Sequence, residues 1–88
     1  MKLVLVGTGY VGLVSGSCFA EFGYEVTCVD KDKSRILELK KGKCPFFEPG
    51  MEELLLKHRD QTKLLNFTSS LAEAMEGADI IFITVGTP

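Results

Sequence analysis

Apolar residues along the chain fall into short blocks separated by mixed and polar stretches. Lys2 to Val6 holds the uninterrupted run Leu3-Val4-Leu5-Val6. Such a run predicts a strand buried on both faces, as in a parallel sheet. Tyr10 to Phe22 places Val11, Val14, Cys18 and Phe22 at helical spacing, and Gly23 stands where a helix ends. Glu25 to Val29 reads as a second strand. A second helix follows, capped by Asp30 or Asp32, with Ile36, Leu37 and Leu39 as its apolar residues and an end near Lys40 to Gly42.

Residues 43–50 form a loop held by Pro45 and Pro49. Met51 to His58 predicts a short helix with Leu54 and Leu55 inward. Leu65 to Thr68 is a weaker strand. Ser69 or Ser70 caps a helix over Leu71 to Met75, with Glu73 at the third position if Ser70 is the cap, and Gly77 ends it. Ile80 to Val85 is a second wholly apolar strand. Strands alternating with helices predict parallel crossovers, so the fold class is α/β. The two most apolar strands, first and fourth, and the two weaker ones fit a four-stranded parallel sheet of order 3-2-1-4 with helices on both faces. That is the first half of a doubly wound fold plus one strand of the second.

The hexapeptide Gly7-Thr8-Gly9-Tyr10-Val11-Gly12 falls between the first strand and the first helix. A glycine fingerprint alone is weak. Here it has its strand, its helix and an acid, Asp30, at the end of the next strand, near the usual spacing of about 20 residues. Gly7 allows the tight turn, Gly9 lets a pyrophosphate approach the backbone, and Gly12 lets helix and strand pack closely. The amides of Tyr10 and Val11 face the phosphates at the positive end of the helix dipole. Asp30 accepts the adenosine ribose hydroxyls and repels a 2′-phosphate, which favours NAD over NADP. Lys31, Lys33 and Arg35 lie close enough to blur that preference. The expected architecture is therefore a partial Rossmann-type sheet. The blander readings are an ordinary strand-to-helix turn and a helix-capping aspartate.

Composition removes several alternatives. Ten Lys and Arg against twelve Asp and Glu leave a net charge of -2, with no basic patch for a nucleic-acid backbone. Cys18, Cys28 and Cys44 are odd in number and not closely spaced, which speaks against a disulfide framework or a metal site. Leu3 to Ala20 lacks charge, but four glycines interrupt it, so it reads neither as a secretory signal nor as a membrane span. A cytoplasmic location with reduced thiols is expected. Cys18 and Cys28 read as core thiols and His58 as a solvated residue at a helix end. A Cys44–His58 dyad lacks any local support, and Glu48, Glu52 and Glu53 read as a solvated helix start. No catalytic residue is expected.

Four blocks resemble the N-terminal portion of the UDP-glucose/GDP-mannose dehydrogenase family. They are Val6 to Leu13; Val29-Asp30 with Arg35 and Ile36; Pro45-Phe46-Phe47-Glu48-Pro49-Gly50-Met51; and Ala78-Asp79 with Phe82 to Pro88. The first two are shared with dinucleotide-binding folds in general, whereas the last two are specific. One small departure is the absence of an acid near Ser69 or Ser70. The resemblance implies oxidation of the C6 hydroxyl of a nucleotide sugar to a carboxylate with two NAD, by way of a cysteine-bound thioester. UDP-glucose leads as substrate, ahead of UDP-N-acetylhexosamines and GDP-mannose. It also implies that Gly7, Gly9, Tyr10, Val11 and Gly12 hold the pyrophosphate, that Asp30 and Arg35 hold the ribose, and that Thr84, Val85, Gly86 and Thr87 line the crevice.

The family's cysteine, lysine, asparagine and aspartate of catalysis lie in later motifs. The chain is thus expected to be one NAD-binding domain over residues 1–88, truncated after the fourth strand and inactive alone. The far edge of that strand is expected to be unpaired and prone to self-association. The alternatives are an NAD-sensing regulatory module or another β-hydroxyacid-type dehydrogenase. Neither needs the third and fourth blocks.

Overall fold

A computed structural model describes residues 1–85. Four strands and four helices alternate: β1 (Lys2–Val6), α1 (Tyr10–Glu21), β2 (Glu25–Val29), α2 (Lys33–Lys40), α3 (Met51–Asp60), β3 (Leu65–Thr68), α4 (Leu71–Met75) and β4 (Ile80–Ile83). The strands form one parallel sheet of order β3-β2-β1-β4. Leu3 pairs with Val26 on one side and Ile80 on the other, and Val26 pairs with Leu65.

Strand alternation sorts the side chains into two layers. Leu3, Leu5, Val26, Cys28, Leu65 and Phe67 meet α1, α2 and α3 through Leu13, Ala20, Ile36, Leu39, Met51 and Leu55. Val4 and Val29 meet Ala74 of α4 on the opposite face. Burying a side chain such as Leu5 or Leu13 completely contributes about 2 kcal/mol. Most of that burial lies on the three-helix face.

The local signals at the helix ends hold. Asp32, not Asp30, caps α2 by accepting from the amides of Ser34 and Arg35. Ser70 caps α4 by accepting from the Glu73 amide. Gly23, Gly42 and Gly77 follow helices with positive φ. α3 runs two residues beyond His58, to Asp60.

The buried face of α1 differs from the expected stripe. Val11, Cys18 and Phe22 are exposed and Val14 is half-buried, while Gly12, Leu13, Gly16, Ser17 and Ala20 are buried. The reason is distance. A Cβ on Gly16 would stand 3.0 Å from Cys28 Sγ, so the helix can lie this close to the sheet only on its small-residue face. In α2, Ile36 and Leu39 are buried while Leu37 is exposed. In α3, Leu55 is buried and Leu54 half-buried.

β4 stands beside β1 at the sheet edge as expected, but it is more exposed than its wholly apolar run predicts. All four of its residues are exposed, because it stands at the edge of the sheet among the described residues. Phe82 stacks on Phe19 of α1 with ring centroids 5.4 Å apart. The strand is shorter than the apolar run, with Thr84 and Val85 beyond it. No helix among the described residues is long and apolar enough to cross a membrane.

Candidate functional site

The glycine turn lies at the carboxyl ends of β1, β2 and β4. Gly7 takes a φ of +112°, a conformation that an L side chain rarely adopts. Its amide donates to the Val29 carbonyl at 2.7 Å, which ties the turn to β2. Thr84 closes the other side. Its amide reaches the Val6 carbonyl at 2.9 Å, and its hydroxyl donates to the carbonyls of Val6 and Gly7 at 3.0 and 3.2 Å. Thr84 therefore braces the turn from below, and Val85 lies in the crevice.

Gly9 is the residue before α1. No side chain caps this helix and no acid stands in its first turn. A Cβ at Gly9 would have nothing within 4 Å. Open space therefore lies beside amides that point outward at a helix start, and a phosphate fits that chemistry. Tyr10 is exposed above it. Its ring lies 5.2 Å from that of Phe46, and its hydroxyl donates to Glu48 at 3.3 Å. The Glu48 carboxylate charge raises the Tyr10 pKa above its ordinary value. The loop of residues 43–50 is thereby brought onto the mouth of the glycine turn.

Asp30 lies across the turn at the end of β2. Its Oδ2 accepts from the amide of Thr8 at 3.1 Å and from the Thr8 hydroxyl at 2.6 Å. Its Oδ1 accepts from the Asp32 amide at 3.0 Å. Burial pushes the Asp30 pKa up, but the Thr8 hydroxyl, the Asp32 and Thr8 amides and the Arg35 charge together hold it below its ordinary value. Arg35 donates from Nη1 to the Thr8 carbonyl at 3.4 Å. Val6, Gly7, Val29 and Asp30 line a cavity of about 300 Å³, closed by Ser69, Leu71 and Val85. Larger depressions lie elsewhere, such as one of about 570 Å³ that touches Lys2, Glu25 and Lys40. None of the glycine-turn residues lines that one, so size does not select the site.

Gly7, Gly9, Tyr10, Val11, Gly12, Asp30, Arg35, Thr84 and Val85 thus come together at one end of the sheet. Gly86 and Thr87 lie outside the described residues. Two residues were not foreseen. Thr8 is completely buried, and its hydroxyl is the nearest partner of Asp30. A hydroxyl between the first two glycines was its only signal in sequence. Leu71 reaches the cavity from α4, which only the fold could show.

The other reactive side chains stand apart. Cys18 is exposed on α1, not in the core. Cys28 is buried, and burial pushes its thiol up to about 12. Cys44 is half-buried, and burial raises its pKa. His58 is 1% exposed, not solvated as expected, because α3 turns it towards the end of α1. Its Nε2 lies 2.7 Å from Glu21 Oε1 and its Nδ1 2.7 Å from Thr62 Oγ1. Both ring nitrogens are thereby engaged away from Cys44. Among the described residues, no three His, Cys, Asp or Glu side chains converge on a point that could hold a metal ion.

Residues 1–88 match the family model for the NAD binding domain of the UDP-glucose/GDP-mannose dehydrogenase family. The chain belongs to this family. The UDP-glucose 6-dehydrogenase of Rhizobium meliloti is 52% identical over 88 residues, 100% of this chain and 20% of that protein. A UDP-glucose 6-dehydrogenase of Pseudomonas aeruginosa is 48% identical, over 100% of this chain and 19% of that protein. Among solved structures, the GDP-mannose dehydrogenase from Pseudomonas aeruginosa, crystallised as a ternary complex, matches with a TM-score of 0.93 and 41% identity. That match covers 100% of this chain and 20% of the other. The UDP-glucose dehydrogenase from Pyrobaculum islandicum matches with a TM-score of 0.91 and 38% identity, over 99% and 20%. The chain spans about a fifth of the length of the curated relatives it matches. The sheet is a Rossmann-type one and its cofactor, as a domain of this family, is NAD.

Proposed function

We propose that the glycine turn and Asp30 bind NAD through its pyrophosphate and adenosine ribose. We further propose that this binding serves the oxidation of UDP-glucose to UDP-glucuronate in the whole protein. The observation that carries the reading is the placement of Asp30 across the turn from Gly9. An acceptor for a ribose hydroxyl and an open helix start for the phosphates then share one crevice. Gly7, Gly9 and Gly12 shape the backbone. The Tyr10 and Val11 amides donate to phosphate oxygens, Asp30 accepts from the ribose, and Arg35 stands beside it. Val85 contributes apolar surface to the crevice.

When bound, NAD accepts the hydride removed from the sugar carbon. The residues of this chain bind and orient the cofactor. None of Cys18, Cys28 and Cys44 lines the crevice, so residues 1–88 alone do not oxidise the sugar. The sugar is assigned as UDP-glucose because the relatives of Rhizobium meliloti and Pseudomonas aeruginosa carry that name. The GDP-mannose dehydrogenase likeness supports the same fold in a relative named for a different sugar nucleotide. The site is assigned to the cytoplasm, where NAD and nucleotide sugars are both available.

Calorimetric titration with NAD and with ADP-ribose tests the binding. Asp30→Ala should abolish the heat of both while leaving the circular dichroism unchanged. Unaltered affinity in that variant would remove Asp30 from the site. Release of NADH from UDP-glucose by residues 1–88 alone would refute the division of labour.

The exposed β4 edge supports one further reading: copies of residues 1–88 self-associate through it. Ile80, Ile81, Phe82 and Ile83 are each at least 36% exposed along a strand that stands at the sheet edge among the described residues.

A further inference from the structure

Thr8 is completely buried, yet it occupies a position that a fingerprint leaves unspecified. A buried hydroxyl needs a partner, and Thr8 has one. Its Oγ1 donates to Asp30 Oδ2 at 2.6 Å, and its amide donates to the same oxygen at 3.1 Å. The Asp32 amide takes one position on Oδ1 at 3.0 Å. A carboxylate offers about four acceptor positions, two on each oxygen. Both on Oδ2 are therefore used, and one on Oδ1 remains for a ligand.

The backbone on either side is tied down as well. Gly7 donates to the Val29 carbonyl, and the Asp30 amide donates to the Thr68 carbonyl at 3.2 Å. Arg35 reaches the Thr8 carbonyl rather than open solvent, which places its charge beside the carboxylate. Asp30 thus cannot rotate without breaking a short charge-assisted bond.

Resting on the NAD reading above, we propose that Thr8 is a positioning residue for cofactor selection. Its hydroxyl locks the Asp30 carboxylate and presents a single Oδ1 acceptor to the adenosine ribose. A fixed, charged carboxylate at that point rejects a 2′-phosphate. A loosened one swings away and lets Arg35 serve that phosphate instead. Thr8 therefore sets how strongly the protein prefers NAD to NADP, although it is Asp30 that touches the ribose.

Thr8→Val keeps the shape and removes the hydroxyl, and Thr8→Ser returns it. Two measurements apply. The first is the carboxyl carbon shift of Asp30 followed against pH by NMR without ligand. The midpoint lies below the ordinary 3.8 in the unsubstituted protein, rises in Thr8→Val, and returns in Thr8→Ser. The second is calorimetric titration with NAD and NADP. Thr8→Val weakens NAD by about tenfold, the value of one hydrogen bond to a charged group, while NADP is unchanged or tighter. Thr8→Ser restores the preference.

An unmoved Asp30 midpoint, or equal weakening of NAD and NADP, overturns the proposal. Equal loss is what a merely structural role would produce. If Thr8→Val does not fold by circular dichroism, Thr8→Ala removes the same donor and is read in the same way. If the unsubstituted protein binds no NAD, the cofactor reading fails on its own. The NMR midpoint then still decides whether Thr8 holds Asp30.

Discussion

The hydroxyl of Thr84 stands 2.5 Å from the point where a Cβ on Gly12 would lie. The residue that follows β4 and the third glycine of the turn thus share one small volume, which joins β4 to α1. Gly9, three residues earlier, has open space at the equivalent point. Two glycines of one motif serve different ends, one packing and one access.

Gly12→Ala should therefore lower stability by about 1–3 kcal/mol, the usual range for overpacking. Gly9→Ala should change it by about 0.5 kcal/mol or less, since its φ of −73° suits any residue. NAD binding should be lost in Gly9→Ala while its fold remains. Chemical denaturation and calorimetry on the two variants check both halves. A Gly9→Ala protein that binds NAD normally would show that the phosphates do not approach there.

His58 and Glu21 join α3 to the end of α1. Because the imidazole is buried and bonded at both nitrogens, His58→Ala should destabilise by about 2–4 kcal/mol, through lost packing and lost hydrogen bonds. Denaturant midpoints at neutral pH measure this. A change under about 0.5 kcal/mol would mean that the pair is incidental.

Glu21 also predicts a pH dependence. The Lys57 ammonium first, and then His58, hold its carboxyl below the ordinary value of 4.5. A lowered carboxylate stabilises the fold fully above its unfolded value and loses that contribution as the pH falls through its folded one. Glu21→Gln should therefore flatten the loss of stability below about pH 4.5, as followed by thermal melts at stepped pH. An identical acid limb in the variant would show that other carboxylates carry it.

The thiols should separate by exposure. Cys18 should react with a thiol reagent under native conditions within minutes, Cys44 more slowly, and Cys28 only on unfolding. Mass spectrometry after timed alkylation gives the order. Early labelling of Cys28 would show that α1 lifts from the sheet.

Ile83 is the most exposed residue of β4, at 73%. If residues 1–88 associate through this edge, Ile83→Lys should shift the mass in light scattering towards the monomer, because an edge lysine opposes strand pairing. The same monomeric mass with and without the substitution would sink the self-association reading.

Much of this molecule was legible in its residues. The order of elements followed from the apolar runs Leu3 to Val6 and Ile80 to Val85, from the punctuation of Gly23, Gly42 and Gly77, and from the cap candidates Asp30 or Asp32 and Ser69 or Ser70, of which the fold uses Asp32 and Ser70. These are local preferences, decided within a few residues of chain. The glycine fingerprint and Asp30 were legible for the same reason, since a tight turn needs its particular residues in order. Tertiary structure decided what depended on the distance between elements. Val11, Cys18 and Phe22 lost the buried face of α1 to Gly16 and Ser17, because helix and sheet approach to contact at Cys28. His58 became a core residue because Glu21 arrived beside it from another helix. Thr8 became the partner of Asp30 because two strand ends lie side by side. No period or spacing in the chain encodes such meetings, since each is the product of packing and not of sequence order.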